Sequence, residues 1–113
     1  MNIHTFPLQR STIEDFAEKH CLVMEVHERS PHEPVFGGWR GGAVRFYAHF
    51  SCCEIADNGC LVGVFGDGPS PEAAIADYGK QISGRRLIHR AYQPERKEIA
   101  VPIIVRSVGV GNA

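Results

Sequence analysis

The sequence predicts an α+β domain with the element order α-β-β-β-α-β-β, in which one antiparallel sheet carries two helices on one face. Three observations predict it. Apolar residues recur at helical spacing in two short segments, around 13–20 and 71–82. Between them, residues 43–55 (AVRFYAHFSCCEI) alternate apolar and polar at a period of two. The tripeptide Asp57-Asn58-Gly59 then marks a tight hairpin turn, because Asn and Gly tolerate positive φ. With 113 residues, 43% of them hydrophobic and 22% charged, the chain can bury one core and has room for one domain.

Ser11-Thr12-Ile13-Glu14 reads as a capping box at the start of the first helix. Ile13, Phe16, Ala17 and His20 share its apolar face, and Glu14, Asp15 and Glu18 take the wet face. Residues 21–29 (CLVMEVHER) form a strand with Leu22, Met24 and Val26 on one side and Val23, Glu25 and His27 on the other. A Pro/Gly-rich loop follows over 30–42, and its length is of the kind that often serves function. Phe36 and Trp39 are its large apolar groups.

In the central strand, Val44, Phe46, Ala48, Phe50 and Cys52 share one face and Arg45, Tyr47, His49 and Ser51 the other. Residues 60–65 (CLVGVF) return as its hairpin partner. Ser70 is a good N-cap for the second helix and Pro71 suits the first helical position. Ala74, Ile75, Tyr78 and Ile82 make its stripe, and Gly84 stops it. Strands over 85–91 and 98–105 close the fold, the second an edge or bulged strand because Pro102 cannot donate to a ladder. The expected organisation is one domain over 1–113: a core over 1–84, a C-terminal hairpin over 85–105 and a small tail over 106–113. Val44, Phe46, Phe50, Leu61, Val64, Ile75, Tyr78 and Ile82 are the expected core.

Several strings resemble the double-stranded RNA-binding domain. Ile13-Glu-Asp-Phe-Ala-Glu-Lys-His20 is similar to that family's first helix and Val26-His-Glu-Arg-Ser30 to its first strand. Ser30-Pro-His32 followed by Phe36 resembles the loop in which a family histidine faces the RNA minor groove. Ser70-Pro-Glu-Ala-Ala74 sits where the family begins its second helix. The resemblance covers about two thirds of the chain and implies the α-β-β-β-α core, with His32 as a candidate contact. The family starts that helix with lysines that straddle phosphates, whereas this chain has Pro71, Glu72 and Ala73, preceded by Asp67. An acidic helix start repels phosphates, so generic duplex RNA is not the expected partner. The back half, from Pro71-Glu-Ala-Ala-Ile-Ala-Asp-Tyr78 through Gln81-Ile-Ser-Gly-Arg-Arg-Leu87 to Tyr92-Gln-Pro-Glu-Arg-Lys-Glu-Ile-Ala-Val-Pro102, resembles small proteins encoded by tailed phages and prophages. Some proteins of that origin and size inhibit host defence complexes, as anti-CRISPR proteins do.

The net charge of −1 excludes a globally basic nucleic-acid binder, but it hides a dipole along the sequence. Residues 1–79 hold five basic and eleven acidic side chains, a balance of −6; residues 80–113 hold seven and two, a balance of +5. Arg85, Arg86, Arg90, Arg96 and Lys97, with Tyr92 as an aromatic anchor, are therefore the expected partner-binding patch. His32, Phe36 and Trp39 are secondary candidates.

Catalytic motifs do not stand out. The sequence has no G-x-S-x-G, no H-E-x-x-H and no phosphate loop of the G-x-x-x-x-G-K-[ST] type. Gly63, Gly66 and Gly68 are expected to serve a turn. Cys21, Cys52, Cys53 and Cys60 read as reduced thiols of a cytoplasmic protein. His49, Cys52, Cys53 and Cys60 lie close in sequence but lack the paired spacing of a zinc site, so no metal and no cofactor is expected. No apolar run is long enough to span a membrane. The functional expectation is a small non-catalytic interaction protein that inhibits a host nucleoprotein complex by docking on its anionic surface; the alternative is a double-stranded RNA-binding module.

Overall fold

The structure is a computed structural model and describes residues 9–30 and 44–105. His32, Phe36, Trp39 and the tail over 106–113 lie outside the described residues. The fold is α+β. Its elements run β1 (Arg10–Thr12), α1 (Ile13–His20), β2 (Met24–Glu28), β3 (Phe46–Phe50), β4 (Cys53–Asp57), β5 (Cys60–Val62), β6 (Gly66–Gly68), α2 (Pro71–Ile82), β7 (Arg86–His89), β8 (Lys97–Ala100) and β9 (Ile103–Val105).

The two helices start and stop on local chemistry. Thr12, rather than Ser11, caps α1: the Asp15 N–H donates to Thr12 Oγ1 at 3.1 Å, while the Ser11 hydroxyl turns to the Thr12 carbonyl. The capping interaction is therefore one residue later than the S-x-x-E pattern suggests. Cys21 ends α1 in the left-handed region at φ 56°, its N–H donating to the Ala17 and Glu18 carbonyls. Ser70 caps α2 as expected, accepting from the Ala73 N–H at 3.1 Å, with Pro71 in the first turn.

Three small sheets replace the single expected one. The long strand over 43–55 breaks at Ser51–Cys52, where Cys52 takes φ 59°. β3 then belongs to an antiparallel sheet β2-β3-β6, and β4 to a second sheet in the order β5-β4-β7-β8. The expected 60–65 strand is shorter, ending at Val62 as β5, and a separate strand, β6, follows at Gly66–Gly68. The 98–105 strand divides at Pro102, and β9 leaves to pair in parallel with β1, Arg10 opposite Ile103. Pro102 thus ends β8, the edge strand of its sheet, so the expected C-terminal hairpin is β7–β8 alone. The Asn58-Gly59 turn has both residues at positive φ, 52° and 82°, and joins β4 to β5.

One apolar cluster joins the layers. Phe50 and Ala48 of β3, Phe16 of α1, Tyr78 and Ile82 of α2, Ile55 of β4, Leu87 of β7 and Ile99 of β8 are all buried in it. Phe16 and Tyr78 both pack against Phe50, with ring centroids 6.0 and 5.4 Å away, so both helices sit on one face of the first sheet. Of the expected core, Val44, Phe50, Tyr78 and Ile82 are buried. Phe46, Leu61, Val64 and Ile75 are only half-buried; Leu61 points to the outer side of its hairpin, opposite Ala56.

Gly66 and Gly68 are packing residues, not turn residues. A Cβ at Gly66 would overlap the Ala74 carbonyl and the Tyr78 backbone, and one at Gly68 would come within 2.6 Å of the Ala73 side chain. α2 rests directly on the β6 backbone at these two positions. Asp77 of α2 then accepts from the Asp67 N–H at 2.8 Å, and Gln81 donates to the Phe65 carbonyl at 2.9 Å, so helix side chains complete the strand's hydrogen bonding. Among the described residues no helix is long and apolar enough to cross a membrane.

Candidate functional site

The face of the first sheet turned away from the helices is polar and aromatic. Antiparallel register sets Glu25 opposite His49 and His27 opposite Tyr47, all on this side. His27 stacks on Tyr47 and on His49, with centroids 4.9 and 5.6 Å apart. Phe65, 44% exposed, sets itself edge-on to both Tyr47 and His49. Arg29 lies over the Tyr47 ring at 4.6 Å and donates to the Val44 carbonyl. The Ser51 hydroxyl, then the His27 imidazole, hold the Glu25 carboxyl below its ordinary pKa; desolvation opposes them, and His49 adds to the lowering.

Beside this face lies a cleft of about 340 Å³ between the two larger sheets. His49 and Phe65 form one wall, Arg90 and Tyr92 the other, and Cys52 and Cys53 line it as well. A continuous strand would point Cys52 and Cys53 to opposite faces. The break at Ser51–Cys52 turns both to the cleft. Burial, with Cys52 and Glu54 nearby, pushes the Cys53 thiol up to about 12, which keeps it protonated at neutral pH.

A cationic end adjoins the β7–β8 hairpin. Register aligns Cys53, His89 and Lys97 across β4, β7 and β8, on the core-facing side of the sheet at its end. There Lys97 lies near enough to His20, at the C-terminal end of α1, for its charge to act on that imidazole. Burial lowers the pKa of His20, and Lys19 and Lys97 lower it further. Burial likewise lowers that of His89, helped by Arg90 and Lys97. Lys19, Arg90 and Lys97 make no ion pair among the described residues. The negative end of the α1 dipole offsets part of the repulsion, since Lys19 and His20 occupy its last turn.

The sequence-predicted patch is therefore spread over two sides of the hairpin. Arg86 and Arg96 share Glu98 on the outer side, at 3.1 and 3.5 Å, and Arg85 reaches Asp57 at 3.9 Å. Arg90, Tyr92 and Lys97 stand nearer the cleft and the cationic end. Tyr92 is 85% exposed on the 90–96 turn, more than any other large apolar side chain among the described residues. Sequence reasoning left Lys19 and His20 out of this group; the signal was a basic last turn of a helix. It also passed over Glu25-x-His27, whose same-face spacing on a strand points both side chains toward His49.

Comparison of the chain with family models, with curated proteins and with solved structures finds no match.

Proposed function

We propose that this is a non-catalytic interaction protein that docks its cationic end on an anionic protein or nucleoprotein surface. Lys19, Arg90 and Lys97 supply the charge and Tyr92 the aromatic anchor. The observation that carries this reading is the convergence of Lys97 with Lys19, His20, His89 and Arg90, the three formal charges without ion pairs among the described residues. Like charges gathered at one end cost stability in the free protein, and an anionic partner relieves that cost as it binds. Tyr92 beside the cleft fits the aromatic and arginine enrichment of binding hot spots.

The resemblance of the back half to phage proteins supports a narrower form, inhibition of a host nucleoprotein complex as anti-CRISPR proteins do it. The duplex-RNA alternative is disfavoured at the start of α2, where Glu72 is exposed and no lysine stands in the first turn.

The test compares the wild-type chain with a Lys97→Glu/Arg90→Asn variant in affinity capture from bacterial lysate, with and without nuclease. Asn suits the left-handed backbone that Arg90 adopts at φ 56°. A discrete partner that survives nuclease, dissociates with salt and is lost in the variant supports the reading. Loss of all partners on RNase treatment favours the RNA alternative, and equal capture by both chains places the working surface elsewhere.

A further inference from the structure

We propose that Glu25, His27 and His49 form a site for a divalent transition-metal ion, best suited to Zn²⁺, on the polar face of the first sheet. One donor atom from each of the three residues lies within 4.8 Å of the other two. Nε2 of His27 stands 3.2 Å from Glu25 Oε1 and Nε2 of His49 stands 3.7 Å from the same oxygen. Zinc bonds of 2.0–2.1 Å in tetrahedral geometry set neighbouring donors about 3.3 Å apart. These two edges bracket that value, and rotation of the exposed His27 ring adjusts the third.

The hydrogen bonding of His49 strengthens the case. Its Nδ1 lies 3.0 Å from the Phe50 carbonyl, which can only accept. The proton is therefore on Nδ1, and in the neutral ring Nε2 presents a lone pair to a carboxylate oxygen. A cation seated between these two acceptors satisfies both. A backbone carbonyl that holds the distal N–H is also the usual outer support of a metal-bound histidine. Phe65 packs T-shaped against the same ring, with centroids 5.0 Å apart. All three donors ride on one hydrogen-bonded strand pair, so the site is largely pre-formed.

Two imidazoles and one carboxylate favour zinc over the hard cations magnesium and calcium, which prefer all-oxygen shells. Three protein ligands on an exposed face leave a fourth position toward solvent, open to water or to an anionic donor. The cysteines take no part: the donors are nitrogen and oxygen alone.

The experiment is calorimetric titration of the metal-free full chain with Zn²⁺ at pH 7.5, backed by competition with a chromophoric chelator. The expected result is one Zn²⁺ per chain at micromolar or tighter affinity, weakened at least about tenfold in His49→Gln and in Glu25→Gln. A chain with all four cysteines changed to serine should bind as the wild type does. The Co²⁺-loaded protein should show ligand-field bands without thiolate charge transfer. His27→Gln, on the more exposed ring, gives the same reading should His49→Gln fail to fold. Absence of binding below about 100 µM, unchanged affinity in the His and Glu variants, or loss of binding in the cysteine-free chain would each overturn the proposal.

Discussion

Arg29 and Asp67 pair across the whole width of the first sheet, Nη1 to Oδ1 at 2.9 Å, with Tyr47 of the intervening strand beneath the guanidinium. The two residues are 38 positions apart and lie on the outer strands of the sheet, just past β2 and within β6. Arg29 is the less exposed partner, with 14% of its side chain accessible. Removing it leaves the Asp67 carboxylate without its counter-charge. Arg29→Ala should cost about 1–3 kcal/mol in denaturant melts, while Arg29→Lys restores only part because it cannot both stack and reach. A loss under ~0.5 kcal/mol would show that the pair is incidental.

Phe50→Ala should cost about 3–5 kcal/mol, because its ring is fully buried between Phe16 and Tyr78. Phe46→Ala should cost clearly less, since Phe46 is half-buried and its ring lies under Arg45. Equal costs would mean that the two ends of β3 are buried alike.

Gly66→Ala is expected to destabilise by about 2–3 kcal/mol or more, because the neighbour a methyl would meet is helix backbone that cannot swing aside. Gly59→Ala provides the contrast: its Cβ would meet nothing, and the cost would come from positive φ alone. Thermal melts in which Gly66→Ala matches the wild type would contradict the close seating of α2 on β6.

Stability should fall as the pH drops from 7 toward 5. His20 and His89 both have pKa values lowered in the folded state, so the unfolded chain takes up protons first. Their contribution is full above the unfolded histidine value of about 6.5 and is lost as the pH falls through the lower folded value. The groups that face them are Lys19, Lys97 and Arg90. A His20→Gln/His89→Gln chain should show a shallower decline in melting temperature across this range; an unchanged slope would locate the pH response elsewhere.

Thiol alkylation at pH 8 followed by mass spectrometry should label Cys21, Cys52 and Cys60 before Cys53. The first three are exposed, whereas the Cys53 thiol is pushed up to about 12 and stays protonated. Rapid labelling of Cys53 would mean that the cleft floor is more open than the structure has it.

What the sequence reveals of this fold is what local chemistry encodes. The Ser70–Pro71 helix start, the Asn58-Gly59 turn, the edge position of the strand before Pro102 and the two faces of β3 all follow from neighbouring residues. The division at Ser51–Cys52 does not, because no Gly or Pro marks it and Cys52 takes a positive φ under tertiary constraint. The parallel pairing of β1 with β9 is equally hidden, since three-residue strands more than ninety positions apart leave no periodic trace. The candidate sites follow the same rule. Arg90, Tyr92 and Lys97 stand out by local charge and aromaticity. Lys19 and His20 join them only because the fold brings the end of α1 within electrostatic reach of Lys97, and Glu25 meets His49 only through sheet register.

The central claim is that the cationic end is the working surface, and an NMR titration of the isotope-labelled chain with a glutamate-rich peptide tests it most directly. Saturable shifts should centre on Lys19, His20, His89, Arg90 and Lys97 with Tyr92 at their edge, weaken as salt rises, and vanish in the Lys97→Glu/Arg90→Asn chain while its melting temperature holds. Shifts centred instead on Arg86 and Arg96, or shifts that persist in the variant, would contradict it.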